Sequence, residues 1–228
     1  MIVSRDNERL KLIRKLQDKR WRDKLGLFFV EGEDAVASAT AEPVDLLRAG
    51  DDVEPRLLAS VASAPHPPRV VAVYRRDDLP GWEERPATLV LWHLADPGNV
   101  GTLIRTADAF GAAVALSDGC ADPTSPKALR ASAGSIWRVP IGRPSALSDD
   151  SSLSRVALEA HGGQALASVD LTGRVAFLLG AEREGLPAGV KRDVNATIPI
   201  AGAESLNVAA SGAVALYEWR RQNPQAAI

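Results

Sequence analysis

The sequence predicts an α/β protein, with a mostly parallel sheet preceded by a smaller α/β unit. Three observations predict it. From Ala87 onward, apolar runs, turn clusters and helix-periodic stretches alternate, the strand–loop–helix rhythm of a parallel sheet. Towards the C-terminus, two short apolar stretches (175–179 and 198–200) each enter a loop of small and polar residues, and a helix of mostly small residues follows. Before Ala87 the pattern is choppier and closes on LPGWEERP at 79–86, whose two prolines, glycine and clustered charge mark a linker. The expected division is a small domain at 1–80, a linker at 81–86 and a larger domain at 87–228.

Residues 5–24 place Leu10, Ile13 and Leu16 at intervals of three among basic residues, with Trp21 beyond, which predicts a helix with one narrow apolar stripe. GLFFVEG reads as a strand ending in a turn at Gly32. An Ala-rich helix at 34–39, apolar pairs at Leu46–Leu47 and Leu57–Leu58 and a strand at 69–74 complete the first unit. The prolines at 65, 67 and 68 interrupt any long element there. In the second unit ATLVLWHLAD is a strand and DPGNVG a turn. VGTLIRTADAFGA is a helix with Val100, Leu103, Ile104, Ala107 and Phe110 on one face and Arg105 on the other. AAVALSDG is the next strand, PKALRASAGS a helix, WRVPI a strand and SLSRVALEAHGG a helix closing at Gly162.

Composition narrows the function classes. At 228 residues, 46% hydrophobic and 25% charged, the chain has the make-up of an ordinary globular protein. A net charge of −2 gives no global attraction to nucleic acid, but residues 1–25 carry nine basic against four acidic side chains. A basic arm ahead of a near-neutral body suits a polyanionic partner, and equally a solvated helix face. One cysteine, Cys120, excludes an internal disulfide and fits a reducing cytoplasm. The N-terminus is charged where a leader needs an apolar core, and no apolar run approaches membrane-spanning length, so a soluble cytoplasmic protein is expected.

The common cofactor and catalytic signatures are absent: no GxGxxG after a first strand, no GxxxxGKS/T, GxSxG, HExxH or CxxC. His66, His93 and His161 lie far apart, and no metal site is expected. Three polar loops remain: 96–106 (DPGNVGTLIRT), 178–187 (LLGAEREGLP) and 198–211 (IPIAGAESLNVAAS). Loops of this kind, at strand ends beside a helix start, are where open α/β sheets seat ligands.

Together these loops resemble the three motifs of the SpoU (TrmH-like) RNA 2′-O-methyltransferases of the SPOUT superfamily. Asn99, Gly101, Arg105, Thr106, Ala107, Asp108, Phe110 and Gly111 match the first motif, N-x-G-x-x-x-R-T-A-D-A-F-G. Gly180, Glu182, Gly185 and Leu186 match the second. Ile198, Pro199, Ser205, Leu206, Asn207, Val208, Leu216, Tyr217 and Glu218 match the third. Ile200 stands where the family usually has Met. The resemblance spans about 87–222, and FFVEG is more loosely similar to the family's small RNA-binding domain.

The resemblance implies a C-terminal deep trefoil knot, an S-adenosylmethionine (S-adenosyl-L-methionine) site in its loops and a homodimer whose two subunits form the active site. It implies cofactor contacts from Leu179, Gly180, Ile198, Ile200, Gly202 and Leu206, with small side chains at Gly180, Gly202 and Ala203 allowing backbone to approach an adenine. It makes Arg105 the catalytic arginine, and puts Asn99, Ser205 and Asn207 in orienting roles. Glu182 would fix the second loop or pair with Arg105. A guanidinium is not readily deprotonated, so gripping phosphate and stabilising alkoxide charge suit Arg105 better than general-base work. Lys127, Arg130 and Arg20 are the expected RNA contacts. The extra N-terminal domain favours ribosomal RNA as substrate. A transfer RNA methyltransferase and a catalytically silent, knotted RNA-binding protein are the alternatives.

Overall fold

In the computed structural model, which describes residues 1–63 and 66–225, the chain lays down two sheets in succession. Pro65 of the proline patch and the last three positions of the expected C-terminal domain lie outside the described residues.

The stretch expected as one N-terminal helix forms two, α1 (Glu8–Leu16) and α2 (Lys19–Leu25). Asp18 separates them, its carboxylate accepting from the Arg20 N–H as the cap of α2. Leu10, Ile13 and Leu16 are buried as their spacing requires. In α2 the buried side chain is Arg22, whereas Trp21 is half-buried, with Lys15 and Lys24 ammoniums 5.2 and 5.1 Å from its ring centroid. Strand β1 (Leu27–Glu31), helix α3 (Glu33–Ala37), strand β2 (Asp45–Arg48), helix α4 (Pro55–Ala59) and strand β3 (Val70–Arg75) follow. The strands make an antiparallel sheet in the order β1-β3-β2.

The second sheet has seven parallel strands: β4 (Ala87–Leu91), β5 (Ala113–Leu116), β6 (Ile141–Gly142), β7 (Leu153–Leu158), β8 (Gln164–Ala165), β9 (Arg174–Leu179) and β10 (Val194–Thr197). Their order is β6-β5-β4-β9-β7-β10-β8. Helices α5 (Pro97–Phe110), α6 (Pro126–Ser132) and α7 (Val208–Gln222) complete the fold. Leu89 and Leu179 meet α7 at Gly212 on one face, while Val90, Ala176 and Leu178 face a cluster closed by loop residues including Trp82, Trp92 and Leu147. Alternation along each strand thus feeds two apolar layers.

Two expectations are corrected here. The segment 152–163, expected as a helix, contains β7, which pairs with β9 on one side and β10 on the other. A short buried run in a parallel sheet has no alternation to separate it from a helix face, and pairing on both edges decides the outcome. WRVPI (137–141), expected as a strand, is mostly irregular: Trp137 ends a 3₁₀ turn at Ser135–Trp137, and only Ile141 joins the sheet, in the two-residue strand Ile141–Gly142. Trp137 is buried against Phe28 and Tyr74, with ring centroids 5.6 and 4.8 Å away.

That aromatic contact joins the two sheets. One face of the small sheet (Phe28, Val30, Ala72, Tyr74) shares a core with the large one, and the other (Phe29, Val71, Val73) packs with α1 and α4 residues. The stretch 79–86 is irregular but packed: a side chain at Gly142 would lie 2.3 Å from the Trp82 ring. A buried ion cluster reinforces the junction. Arg22 Nε donates to Asp122 Oδ2 at 2.8 Å, and Arg76 Nη2 to the same oxygen at 2.7 Å. Burial pushes the Asp122 carboxyl up, but Thr124 hydrogen bonds and the two guanidiniums outweigh it and hold it below the usual range. Stability from a depressed carboxylate is present above its unfolded value, near ~3.9, and lost as pH falls through the folded one. Asp122→Ala should cost about 3–5 kcal/mol, because it leaves Arg22 buried without its counter-charge. Melting temperatures from pH 7 to 2 should show a shallower acid decline in that variant than in wild type.

Candidate active site

Helix α5 begins as its sequence dictates, with Pro97 in the first turn and the Asp96 carboxylate accepting from the N–H groups of Gly98 (2.6 Å) and Asn99 (3.0 Å). Lys127 Nζ donates to Asp96 Oδ2 at 2.8 Å. That hydrogen bond, then the Asn99 N–H, hold the Asp96 carboxyl below the usual range. Gly101 sits where α5 and α6 touch: a Cβ there would fall 2.3 Å from the Ala128 carbonyl oxygen, so any larger residue would push the helices apart.

Asn99 is the hub of the site. Its Nδ2 donates to Glu182 Oε1 at 2.8 Å, and its Oδ1 accepts from Asn207 Nδ2 at 3.2 Å. Asn207 in turn caps α7, accepting from the N–H groups of Ala209 and Ala210. One residue from each polar loop therefore enters a single chain of hydrogen bonds, Glu182–Asn99–Asn207, spanning 108 positions of sequence. Glu182 is bonded to Asn99, not to Arg105 as one expectation had it.

Beside this chain lies a cleft of about 370 Å³ between the ends of β7 and β9 and the start of α7. Leu179, Gly180, Glu182, Ile198, Ile200, Ser205 and Leu206 line it, all expected from sequence. Leu158, Glu159 and Ala160, at the end of β7 and just beyond it, also line it; the sequence does not point to them, because the pattern of 152–163 predicts a helix. Ile200 and Leu206 are among the few large apolar side chains left exposed (38% and 37%), and both face the cleft. Apolar walls left open to water beside carboxylates and strand-end backbone suit a flat aromatic group with an attached cationic chain, and so fit an adenosyl sulfonium.

Two expected glycine roles take a different form. A Cβ on Gly180 would lie 2.2 Å from the Gly185 carbonyl carbon, so glycine is required there by the loop's closure upon itself. Gly202 does not line the cleft; its φ of +82° in open space marks a left-handed turn. Arg105 is exposed on α5, outside the cleft of its own chain, and has no hydrogen bond or ion pair among the described residues. Arg130, expected to touch RNA, is held internally: its Nη1 donates to Ser63 Oγ at 2.6 Å and Glu31 Oε2 at 3.2 Å, tying α6 to the small sheet. Lys127 keeps more than half of its side chain exposed, and Arg20 is exposed on α2. Among the described residues no cluster could hold a metal ion, and no helix is long and apolar enough to cross a membrane.

Comparison with known proteins places these features. Residues 86–217 match the SpoU rRNA Methylase family. The 23S rRNA (guanosine(2553)-2′-O)-methyltransferase RlmP of Bacillus subtilis is 32% identical over 249 residues, covering 96% of this chain and 98% of that protein. Among solved structures, the SpoU methyltransferase AviRb from Streptomyces viridochromogenes in complex with AdoMet superposes with a TM-score of 0.83 at 28% identity, covering 97% of this chain and 100% of that one. An AdoMet-bound rRNA methyltransferase from Sinorhizobium meliloti gives 0.82 at 29% identity, covering 96% and 97%.

Proposed function

The chain belongs to the SpoU rRNA methylase family, and from that premise we propose how its own residues carry out S-adenosylmethionine-dependent 2′-O-methylation of RNA ribose. The observation that carries the residue-level reading is the Glu182–Asn99–Asn207 chain, which closes over one edge of an apolar-walled cleft. S-Adenosylmethionine bound in that cleft supplies the sulfonium methyl that passes to a ribose 2′-oxygen. Leu179, Ile198, Ile200 and Leu206 form the slot for its adenine, and Glu182 and Ser205 lie at its polar side. Asn99 and Asn207 hold the first and third loops in register, so the substrate hydroxyl meets a preorganised wall.

Arg105 grips the phosphate next to the target ribose and stabilises negative charge developing on the 2′-oxygen. Its lack of any internal partner supports this role, and so does its place on α5, the helix that also carries Asn99. Because Arg105 does not line its own cleft, the reading includes a homodimer in which Arg105 serves the partner's cleft. The open flank of α7, with Tyr217 at 62% and Val214 at 38% exposure, supports that contact. Light scattering at micromolar concentration should give about twice the 24.2 kDa chain mass. We further propose that the segment from Gly180 through α7 forms the trefoil knot. The self-closing loop (bridge Ala181–Gly185) and the return of α7 from the β10 side to β4 and β9 support this.

The basic first 25 residues, with Arg20 exposed and Lys15 and Lys24 flanking Trp21, suit the 1–80 unit to RNA binding, and ribosomal RNA is the proposed target. Methyl transfer from labelled S-adenosylmethionine to ribosomal and transfer RNA tests the whole reading. Label should enter ribosomal RNA and protect one linkage from alkaline cleavage. A protein that binds RNA yet has no affinity for the cofactor would be the silent binder instead.

A further inference from the structure

The sheet face turned away from α7 takes no part in the methyl-transfer reading. Its apolar cluster, built on strand residues such as Val90, Ala176 and Leu178, includes no residue of an α-helix. Parallel sheets are ordinarily packed under helices on both faces. Here loop residues lie over this face instead, and they leave a pocket of about 470 Å³ lined by those three side chains together with Leu147, Val190 and Trp92. That volume lies within the ~300–1,000 Å³ of small-molecule sites. The pocket shares no lining residue with the cofactor cleft.

One charge in the pocket is out of place. Along β7, Leu153, Arg155 and Ala157 alternate onto a single face, and Leu153 and Ala157 belong to the apolar cluster. Arg155 lines the pocket and is only 8% exposed. Its Nη2 donates to the Ser148 carbonyl at 2.7 Å and its Nη1 to the Leu153 carbonyl at 3.4 Å, neutral partners that use two of its five N–H donors. Its ion pair among the described residues is with Asp149 Oδ1, at 3.5 Å, on a side chain 94% exposed. Lys191 Nζ shares that same oxygen at 3.9 Å. A buried cation is costly unless a counter-charge is held against it. Two cations that share one solvent-swept carboxylate leave the pocket with a surplus of one positive charge.

An apolar chamber with one uncompensated positive charge fits an apolar body carrying one negative charge. A carboxylate matches the guanidinium fork, whereas a phosphate dianion would bring excess negative charge beside Asp149. We infer that this pocket is a second ligand site, separate from the methyl-transfer centre, for a small organic carboxylate with an apolar body. The body lies on Val90, Ala176 and Leu178, and the carboxylate displaces Asp149 from Arg155 and Lys191.

The test uses the full chain and the fluorescent dye 8-anilinonaphthalene-1-sulfonate, whose sulfonate and rings stand in for the two halves of the ligand. Bound dye should saturate at one per chain and be displaced by octanoate. Octanol, which lacks the charge, and inorganic phosphate, which lacks the apolar body, should each compete at least about ten-fold more weakly. Arg155→Met should weaken dye binding about ten-fold or more, the scale of one lost charge-assisted contact. Arg155 also ties down carbonyls of the 148–153 stretch, so Lys191→Met, at a side chain 62% exposed, is the variant that keeps the fold. It should weaken binding about two- to five-fold with no change in melting temperature. Excess S-adenosylhomocysteine should leave the dye in place. Dye displaced by S-adenosylhomocysteine, octanol competing as well as octanoate, or wild-type dye affinity in Lys191→Met and in a folded Arg155→Met would each overturn the site. The absence of saturable dye binding would do the same.

Discussion

Arg105→Ala should lower methyl transfer by about 10²–10³-fold, the cost of removing one charged donor aimed at a developing oxyanion. Melting temperature and cofactor Kd should stay at wild-type values. The reason lies in what Arg105 lacks: it is exposed, has no partner among the described residues and does not line the cofactor cleft of its own chain. Nothing in the fold depends on it, so its removal should leave the fold intact. Arg105→Lys keeps the charge but loses the planar fork, and should recover only part of the activity if phosphate is held bidentately. In a dimer with shared sites, mixing Arg105→Ala chains with chains defective in the cofactor cleft should restore some activity. Heterodimers then contain one intact site. Failure of mixing to restore any transfer would place Arg105 in its own subunit's site.

Gly180→Ala should abolish measurable cofactor binding at micromolar concentration and destabilise the chain. The added Cβ would lie 2.2 Å from the Gly185 carbonyl carbon and 2.4 Å from both its oxygen and the Leu186 nitrogen. All three are backbone atoms, so no side chain can swing aside. The loop is also pinned by the Gly185 N–H on the Ala181 carbonyl at 2.9 Å. Overpacking of this kind costs about 1–3 kcal/mol, and for a chain of this size each kcal/mol lowers the melting temperature by roughly 2–4 °C. Gly189→Ala is the matched control: nothing lies within 4 Å of its Cβ position and its φ is not positive, so both readouts should stay unchanged. Cofactor affinity of wild-type strength in Gly180→Ala would show that the loop can open without disturbing the cleft.

Much of this protein is legible in its sequence because local chemistry decides it. Asp96-Pro97 starts α5 and Asn207 starts α7, since short polar side chains satisfy the free N–H groups of a helix's first turn. Leu10, Ile13 and Leu16 are buried because their spacing puts them on one helix face. Asn99, Glu182 and Asn207 could be singled out because the three loops that carry them resemble, in order, the motifs of one family. Family membership follows from the same three loops.

What the tertiary structure alone decided depends on neighbours far along the chain. β7 is a strand because β9 and β10 pair with both its edges, and nothing within 152–163 announces them. Arg22 is buried and Arg130 occupied because Asp122 and Glu31, a hundred positions away, supply their counter-charges. A sequence shows that such residues are charged but not which partner will neutralise them. Glu182 and Asn207 meet only through Asn99, and Arg155 and Lys191 share a pocket only once β10 pairs with β7. The residue types were written in order along the chain, and the closing of the parallel sheet turned three separate loops into one site.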